Sequence, residues 1–304
     1  MSRTTKPNPS KVSVPTTTTW LKVAVVETED GIQHLIDQLG EYLPTNPVSL
    51  YLNCEGIDIG QGGSTGLGSI ERLVLFVAPQ STVYVINLAK LGPFTAFSTP
   101  GTSGGGQQTT TLRSILESAH VPKAMFDVRR ACAALSCLKM DNSSCSAAMS
   151  IAPQNVHDVQ LMELATRALS KPKRYLASWN ECVLTDGDGS VKSASELPAR
   201  QPVPLLFDPR LFQLPVLWAN YHAKLATKSE AFWVYMVRKA IKERVQKSIA
   251  SMRNSNNNTV GEDDDRLGPW TPYEIHQESE SWNENVLDEA MHGDGFVSDE
   301  WNAL

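Results

Sequence analysis

The side chains best suited to chemistry in this sequence are two polar residues at the end of a predicted strand. The stretch Ser49–Gly60 starts with apolar and aromatic residues, reaches Asn53 and Glu55, and closes in a glycine-bounded turn. A strand that ends in a carboxylate is one way to hold the metal ions of a phosphoryl-transfer site. Magnesium and manganese prefer oxygen ligands, so Glu55 is the first candidate for a metal-binding residue.

The elements that would position this pair are strands followed by alternating helices and strands. Apolar runs predict strands at 20–26, 49–53, 73–77, 83–87, 123–128 and 155–158. Helical periodicity predicts helices at 31–43, 112–118, 129–138, 159–170, 212–225 and 230–252. This order predicts an α/β domain with a mixed central sheet flanked by helices. The composition predicts three parts: a disordered N-terminal segment at 1–19, a folded domain at 20–252 and an acidic, tryptophan-containing tail at 253–304.

The strand order, together with Asn-x-Glu beside a glycine, resembles the start of the RNase D-like 3'-5' exonuclease family. Within it, the exonuclease-domain-containing, Egalitarian-like branch is the most similar, and Val156–Arg167 is the most specific match. The resemblance implies a ribonuclease H-like fold in which two divalent metals clamp the attacking water and the leaving oxygen. Four carboxylates hold these metals. They come from Asp-x-Glu on the first strand, an Asp in a second motif, and Tyr-x-x-x-Asp on a late helix.

In the first two motifs, the residues that match the family pattern stand beside residues that depart from it. Glu55 matches the first motif, but Asn53 stands where an aspartate is expected. In the second motif Asp127 and Arg129 match, while the metal-binding aspartate falls on Ala131. The resemblance therefore leaves Glu55 as the metal ligand that these two motifs retain.

The third motif departs further from the family pattern. It should precede a Leu-Pro-x-Leu-Trp run, which is present as Leu214–Trp218. Counting back, the tyrosine falls on Leu206 and the aspartate on Arg210, where a cation would repel a metal. Asp208 could substitute only if the backbone shifts. Arg210 could instead bind phosphate, or it could point into solvent after loss of the site.

Three functions follow from this pattern. The first is a catalytically degenerate exonuclease domain that binds nucleic acid, in particular single-stranded RNA, as a binding module or adaptor; it needs no cofactor. The second is an active exonuclease that uses magnesium or manganese with relocated ligands, recruiting Asp127, Asp158 and Asp208. Without that relocation, Asp158 has a supporting role behind the site. The third is a protein–protein interaction module that binds no nucleic acid.

Positive charge that could contact nucleic acid is found at Arg129, Arg210, Arg238 and Lys242. The last two share one face of a long helix at i, i+4 spacing, which is equally typical of a solvated helix surface. The net charge of −6 is unevenly distributed along the chain, because acidic residues are concentrated in the stretch 262–304 and the preceding residues have a positive net charge. This acidic stretch is either a solvated tail or a competitor for the basic surface.

Trp270, Trp282 and Trp301 are spaced aromatic residues within this acidic tail. Such anchors are typical of segments that fold on a partner, either their own domain or another protein. Five cysteines without CxxC spacing and an N-terminus without an apolar signal region predict an intracellular protein, cytoplasmic or nuclear. No apolar run approaches the length of a membrane-spanning helix, and the sequence predicts no particular oligomeric state.

Overall fold

The computed structural model describes residues 22–40, 43, 48, 50–56, 70–102, 110–139, 148–168, 170–187, 207–253 and 266–292. Its strands are β1 (Lys22–Val26), β2 (Leu50–Glu55), β3 (Arg72–Val77), β4 (Thr82–Asn87), β5 (Lys123–Met125), β6 (Leu138–Lys139), β7 (Ala148–Met149) and β8 (Val156–Asp158). The predicted N-terminal segment at 1–19 lies outside the described residues.

The six predicted helices are present and begin within two residues of their predicted starts, and the described residues contain four further helices, at 88–91, 93–98, 179–186 and 272–292, that were not predicted. The helices are α1 (Glu29–Gly40), α2 (Leu88–Leu91), α3 (Pro93–Ser98), α4 (Leu112–Glu117), α5 (Val128–Ser136), α6 (Val159–Thr166), α7 (Trp179–Asp186), α8 (Leu214–Leu225), α9 (Ala231–Arg253) and α10 (Pro272–His292). Short 3₁₀ helices lie at Ala78–Gln80, Pro209–Gln213 and Lys228–Glu230. Within the described part of the chain, no helix is both long and apolar enough to cross a membrane.

Six strands form one mixed sheet in the order β1-β4-β3-β2-β5-β8. The pairs β1–β4, β2–β5 and β5–β8 are parallel, whereas β3 runs antiparallel to both of its neighbours. Because side chains alternate along a strand, the two faces of β2 enter different layers of the core. Leu50 and Leu52 pack with α1, α3, α4 and α5, while Tyr51 packs with α6, α8 and α9. This is the predicted mixed α/β architecture, with helices on both faces of the sheet.

The predicted strand at 123–128 is shorter in the structure, and the cause lies at Asp127. Asp127 has a φ of 55°, in the left-handed region, so the strand cannot continue through it. Its carboxylate instead accepts a hydrogen bond from the backbone N–H of Arg129 and caps α5. The chain therefore turns directly from β5 into α5.

Lys123, at the start of β5, is fully buried. Its Nζ donates to three backbone carbonyl oxygens, those of Ser118 at 2.9 Å, Val121 at 2.7 Å and Gln154 at 2.5 Å. Burial lowers the pKa of Lys123 to about 7. The amine links the segments that lead into β5 and β8 and thereby fixes these two short strands beside each other.

The segment predicted as an acidic tail is, over residues 266–292, packed on the domain. The backbone N–H of Leu176 donates to Arg266 O at 2.9 Å, and the N–H of Gly268 donates to Arg174 O at 2.7 Å. A side chain on Gly268 would meet both Leu164 and this backbone at 3.0–3.1 Å, so glycine allows the close approach. After this contact, α10 runs along α9.

For Trp270 and Trp282, two of the three tail tryptophans, the structure shows packing on their own domain. Trp270 is 4% exposed and lies 5.5 Å from Trp233, measured between ring centroids. Trp282 packs against Phe232 and Tyr235 at 6.3 and 5.2 Å. Trp270 is therefore not available to a partner protein in this conformation. Trp301 lies outside the described residues.

Lys173 connects the end of α6 to Trp233 on α9, the residue against which Trp270 packs. It belongs to the basic run Lys171–Arg174, yet it is only 7% exposed. Its Nζ donates to the carbonyl oxygens of Leu164, Ala165 and Arg167 at 3.0, 2.7 and 2.7 Å, where the last turn of α6 lacks backbone partners. The same ammonium lies 4.2 Å from the centre of the Trp233 ring. Burial lowers the pKa of Lys173 to about 8.

Candidate functional site

Three parallel strands end at the same edge of the sheet, and each delivers polar side chains there. Since β2, β5 and β8 run in one direction, their carboxyl ends lie side by side. The structure therefore places four predicted site residues along this edge: Asn53 and Glu55 from β2, Asp127 after β5, and Asp158 at the end of β8. Whether they can hold metal ions depends on what each carboxylate already binds.

Both carboxylate oxygens of Glu55 already have partners. Oε1 accepts a hydrogen bond of 2.6 Å from the backbone N–H of Asp208 and one of 3.4 Å from Asn53 Nδ2. Oε2 lies 3.4 Å from Nε of Arg72, and the Glu55 side chain is only 12% exposed. The negative charge that would attract a metal is thus compensated by protein groups.

Arg72 is a site residue that the sequence reasoning missed. It is the first residue of β3 and lies directly opposite Glu55 in the antiparallel pairing of β2 with β3. Facing residues in such a pair are close enough for an ion pair. A basic residue at the start of the next apolar run was the signal in the sequence, but the register needed to pair it with Glu55 comes only from the structure.

Asp127 is held by Arg129 rather than left open to a metal. The guanidinium donates Nε–H to Oδ1 and Nη2–H to Oδ2, both at 2.8 Å. Burial raises the pKa of Asp127, but the hydrogen bonds and charge of Arg129 outweigh it and leave the pKa below its ordinary value. Arg129 was predicted to contact nucleic acid, and in the structure part of its positive charge is neutralised by Asp127.

Asp158 is completely buried and connects three elements. Its carboxylate accepts from five donors, namely the backbone N–H groups of Asp127 at 3.2 Å, Val128 at 3.4 Å, Gln160 at 3.0 Å and Leu161 at 3.4 Å, and Nη1 of Arg244 at 2.9 Å. It thus caps α5 and α6 at once and pairs with α9. Burial raises the pKa of Asp158, and Arg244 opposes that rise. Asp158 contacts the site through its hydrogen bond with the backbone N–H of Asp127.

The third motif approaches the same edge through a 3₁₀ helix. The backbone N–H of Asp208 reaches Glu55, and its partly buried side chain lines the adjoining cleft. The Arg210 backbone lies in the 3₁₀ helix Pro209–Gln213, whereas its side chain and Leu206 are outside the described residues. Asp208 therefore reaches Glu55 through its backbone N–H, and in this role it is a donor to the carboxylate.

A cleft with aromatic and basic walls lies next to these residues. It consists of two adjoining cavities of about 160 and 330 Å³ that share Leu52, Asn53 and Phe126. Ala131, at the position of the expected metal-binding aspartate, lines the second cavity with a methyl group that cannot bind a metal. Exposed Arg130 lines the same cavity.

The aromatic wall of the cleft consists of Phe126 and Trp179. Their rings meet edge to face with centroids 4.8 Å apart, and both are partly buried. Trp179 is the first residue of α7, and its position is fixed by reciprocal capping bonds between Ser178 and Glu181. The sequence reasoning missed this tryptophan because it lies between motifs, although an aromatic residue directly after a helix cap was a visible signal.

Arg238 and Lys242, the other predicted nucleic-acid contacts, lie elsewhere. They line a groove with Ala119, Gln154 and Asn155, which precede β5 and β8. That is the opposite end of these strands from Asn53 and Asp127. The structure therefore places the two residues outside the cleft.

The described residues do not fit the two metals that the resemblance to the exonuclease family implies. Among the described residues, no three His, Cys, Asp or Glu side chains come together so that they could hold a metal ion. At the expected positions stand the amide of Asn53, the methyl group of Ala131 and the Glu55 carboxylate, which forms an ion pair with Arg72. The nearby Asp127 carboxylate forms an ion pair with Arg129. These partners supply positive charge where metals would need negative charge.

Comparison with solved structures identifies the fold. The chain resembles Trypanosoma brucei RNase D in its complex with RNA U12, with a TM-score of 0.55 and 17% identity over 84% of this chain and 79% of that one. For the T. brucei RNase D–GMP complex the TM-score is 0.52 at 16% identity. That match covers 75% of this chain and 64% of the other, which is less than two thirds of its length. No protein-family model and no curated protein sequence matches. The fold is therefore the ribonuclease H-like fold of RNase D, as predicted.

Proposed function

We propose that this chain is a catalytically degenerate domain of the RNase D-like 3'-5' exonuclease family that binds single-stranded nucleic acid, RNA in particular, in its former active-site cleft. The observation that carries the proposal is the engagement of Glu55 by Arg72 and by the backbone N–H of Asp208. A carboxylate held in this way lacks the open oxygens that a metal needs. In-line displacement on a two-metal site therefore lacks a set of ligands among the described residues.

The cleft retains features suited to binding a nucleic-acid strand. Exposed Arg130 lines it, and the Arg129 guanidinium is paired with Asp127, another lining residue. Arginine is well suited to phosphate because its donors are planar and paired. Phe126 and Trp179 offer ring surface on which bases can stack, a contact that tolerates any base sequence. Aromatic stacking together with positive charge is how single strands are bound without sequence-specific readout.

The proposal is tested by following 3'-end degradation of labelled single-stranded RNA and DNA. The protein would be present at micromolar concentration with magnesium or manganese, beside the Glu55→Ala variant. We expect no shortening with either metal and a complex that weakens as salt rises, because phosphate contacts release counterions. Metal-dependent shortening that disappears in Glu55→Ala would overturn the proposal in favour of an active exonuclease. If the protein neither cuts nor binds, the protein–protein alternative replaces it.

Trp179→Ala should weaken the RNA complex by about 5- to 150-fold, since one lost base–aromatic contact costs roughly 1–3 kcal/mol. Fluorescence anisotropy with labelled oligouridine measures this effect. The matched control is Tyr273→Ala, which removes a 67% exposed aromatic side chain on α10, away from the cleft. Thermal unfolding of both variants separates lost binding from lost folding. Equal affinities for the two variants would place the bound strand outside the cleft.

A further inference from the structure

A second groove lies on the other side of the described structure, between α9 and the chain that leads into β8. Its volume is about 690 Å³, and it is separate from the cleft because its walls include residues that precede β5 and β8. Its apolar lining comes mainly from Val156, Met162, Leu225, Val234, Val237, Ile241, Val245 and Ile249.

The apolar residues that α9 contributes form one continuous row along the helix. Val234 and Val237 are buried at 3% and 4% exposure. Ile241, Val245 and Ile249 continue the row at four-residue spacing but are only partly buried. Residues at this spacing share one face of a helix, which globular proteins normally cover with another element. The second half of this row therefore presents an apolar surface to the groove.

The charged side chains that line the groove are positive. Arg238 and Lys242 line it, and no aspartate or glutamate is among its lining residues. An occupant that matches both features has apolar side chains for the floor and carboxylates for the edge. A nucleic-acid strand would match the arginine and the lysine but would leave the isoleucine and valine side chains without apolar partners.

We infer that this groove binds an acidic amphipathic helix of a partner protein. Its apolar residues, spaced at i, i+4 and i+7, would pack against Ile241, Val245 and Ile249. Its flanking carboxylates would pair with Arg238 and Lys242. Laying an apolar helix face into a hydrophobic groove is a recurring mode of peptide recognition. This inference concerns a different surface from the cleft and does not depend on nucleic-acid binding there.

The test uses two labelled model helices of about 16 residues, long enough to form helix on binding. Both carry leucine at i, i+4 and i+7, and the flanking positions are glutamate in one peptide and lysine in the other. We expect the full-length protein to bind the glutamate peptide at least tenfold more tightly in fluorescence anisotropy. Ile249→Glu should abolish this binding, and Lys242→Glu should weaken it about fivefold, a rim-charge effect. Lys247→Glu, an exposed change on α9 outside the groove, is the matched control and should have no effect.

Equal affinity for the two peptides, or binding that survives Ile249→Glu, would overturn the inference. So would failure of the protein to bind either peptide. If Lys242→Glu instead weakens oligouridine binding while no peptide binds, the groove is a nucleic-acid surface and the inference is wrong. Thermal unfolding of each variant shows whether its fold is retained. The metal-dependent degradation assay and the Trp179→Ala comparison test the cleft separately from the groove.

Discussion

Replacing Asp158 with asparagine should lower the free energy of unfolding by about 3–5 kcal/mol, the typical effect of removing one partner of a buried ion pair. The Asp158 carboxylate is fully buried and accepts from Arg244 and from backbone N–H groups of α5 and α6. Asparagine keeps the size of the side chain, but it loses the charge that compensates Arg244. One of its two polar atoms would also be a donor that faces other donors. Urea unfolding followed by circular dichroism measures the loss.

Two further variants make this prediction specific. Glu280→Gln breaks an exposed pair with His276 at i, i+4 spacing and should cost less than about 0.5 kcal/mol. The double variant Asp158→Asn/Arg244→Met should lose much less free energy of unfolding than the sum of the losses in the two single variants. Neither buried charge is then left without its partner. Additive effects would show that Asp158 and Arg244 are not coupled and would contradict this account of the site.

Lys173→Met should lower the free energy of unfolding by about 2–4 kcal/mol, because three carbonyl oxygens at the end of α6 lose their donor. The ammonium's interaction with the ring of Trp233 is lost as well. Methionine matches the lysine stem in length, so the change tests the charged group and not the packing of the stem. Urea unfolding monitored by tryptophan fluorescence reports the result, with Trp233 itself near the change.

Lys171→Met is the matched control for this prediction. It removes a lysine from the same basic run, but its side chain is exposed, and the expected change is within about 0.5 kcal/mol. If both variants lose the same stability, the carbonyl contacts of Lys173 do not contribute. If neither variant loses stability, the free energy that the hydrogen bonds of Lys173 contribute is offset by the cost of desolvating its buried ammonium.

Much of the fold could be predicted from the sequence because its elements have strong local signals. Apolar runs mark β3 and β4, and helical periodicity marks α8 and α9. The motif residues also fall at the ends of the predicted strands, so the edge at which they gather follows from the parallel order of β2, β5 and β8. The ends of strands and helices were less predictable where a single residue sets them. At Asp127, for example, a left-handed backbone conformation ends β5.

The contacts of the site were less predictable, because they depend on pairing between distant segments. Arg72 lies 17 residues beyond Glu55 in sequence, and only the register of β2 with β3 sets them opposite each other. Lys173 belongs to a basic run that is typical of a surface, and its burial depends on where α6 ends. The acidic composition after residue 262 predicts a solvated tail. It does not reveal that Trp270 would fit beside Trp233.

The packing of residues 266–292 on α9 has a consequence for how this protein should be divided for expression. A recombinant fragment that stops at residue 252, the boundary suggested by the sequence, would uncover Trp233, Phe232 and Tyr235 together. It would also remove the carboxylate of Glu278 that pairs with Lys239. Newly exposed aromatic surface of this kind promotes aggregation. A fragment that keeps these aromatic residues covered therefore extends at least through Trp282, the last residue of α10 whose contact with α9 covers them.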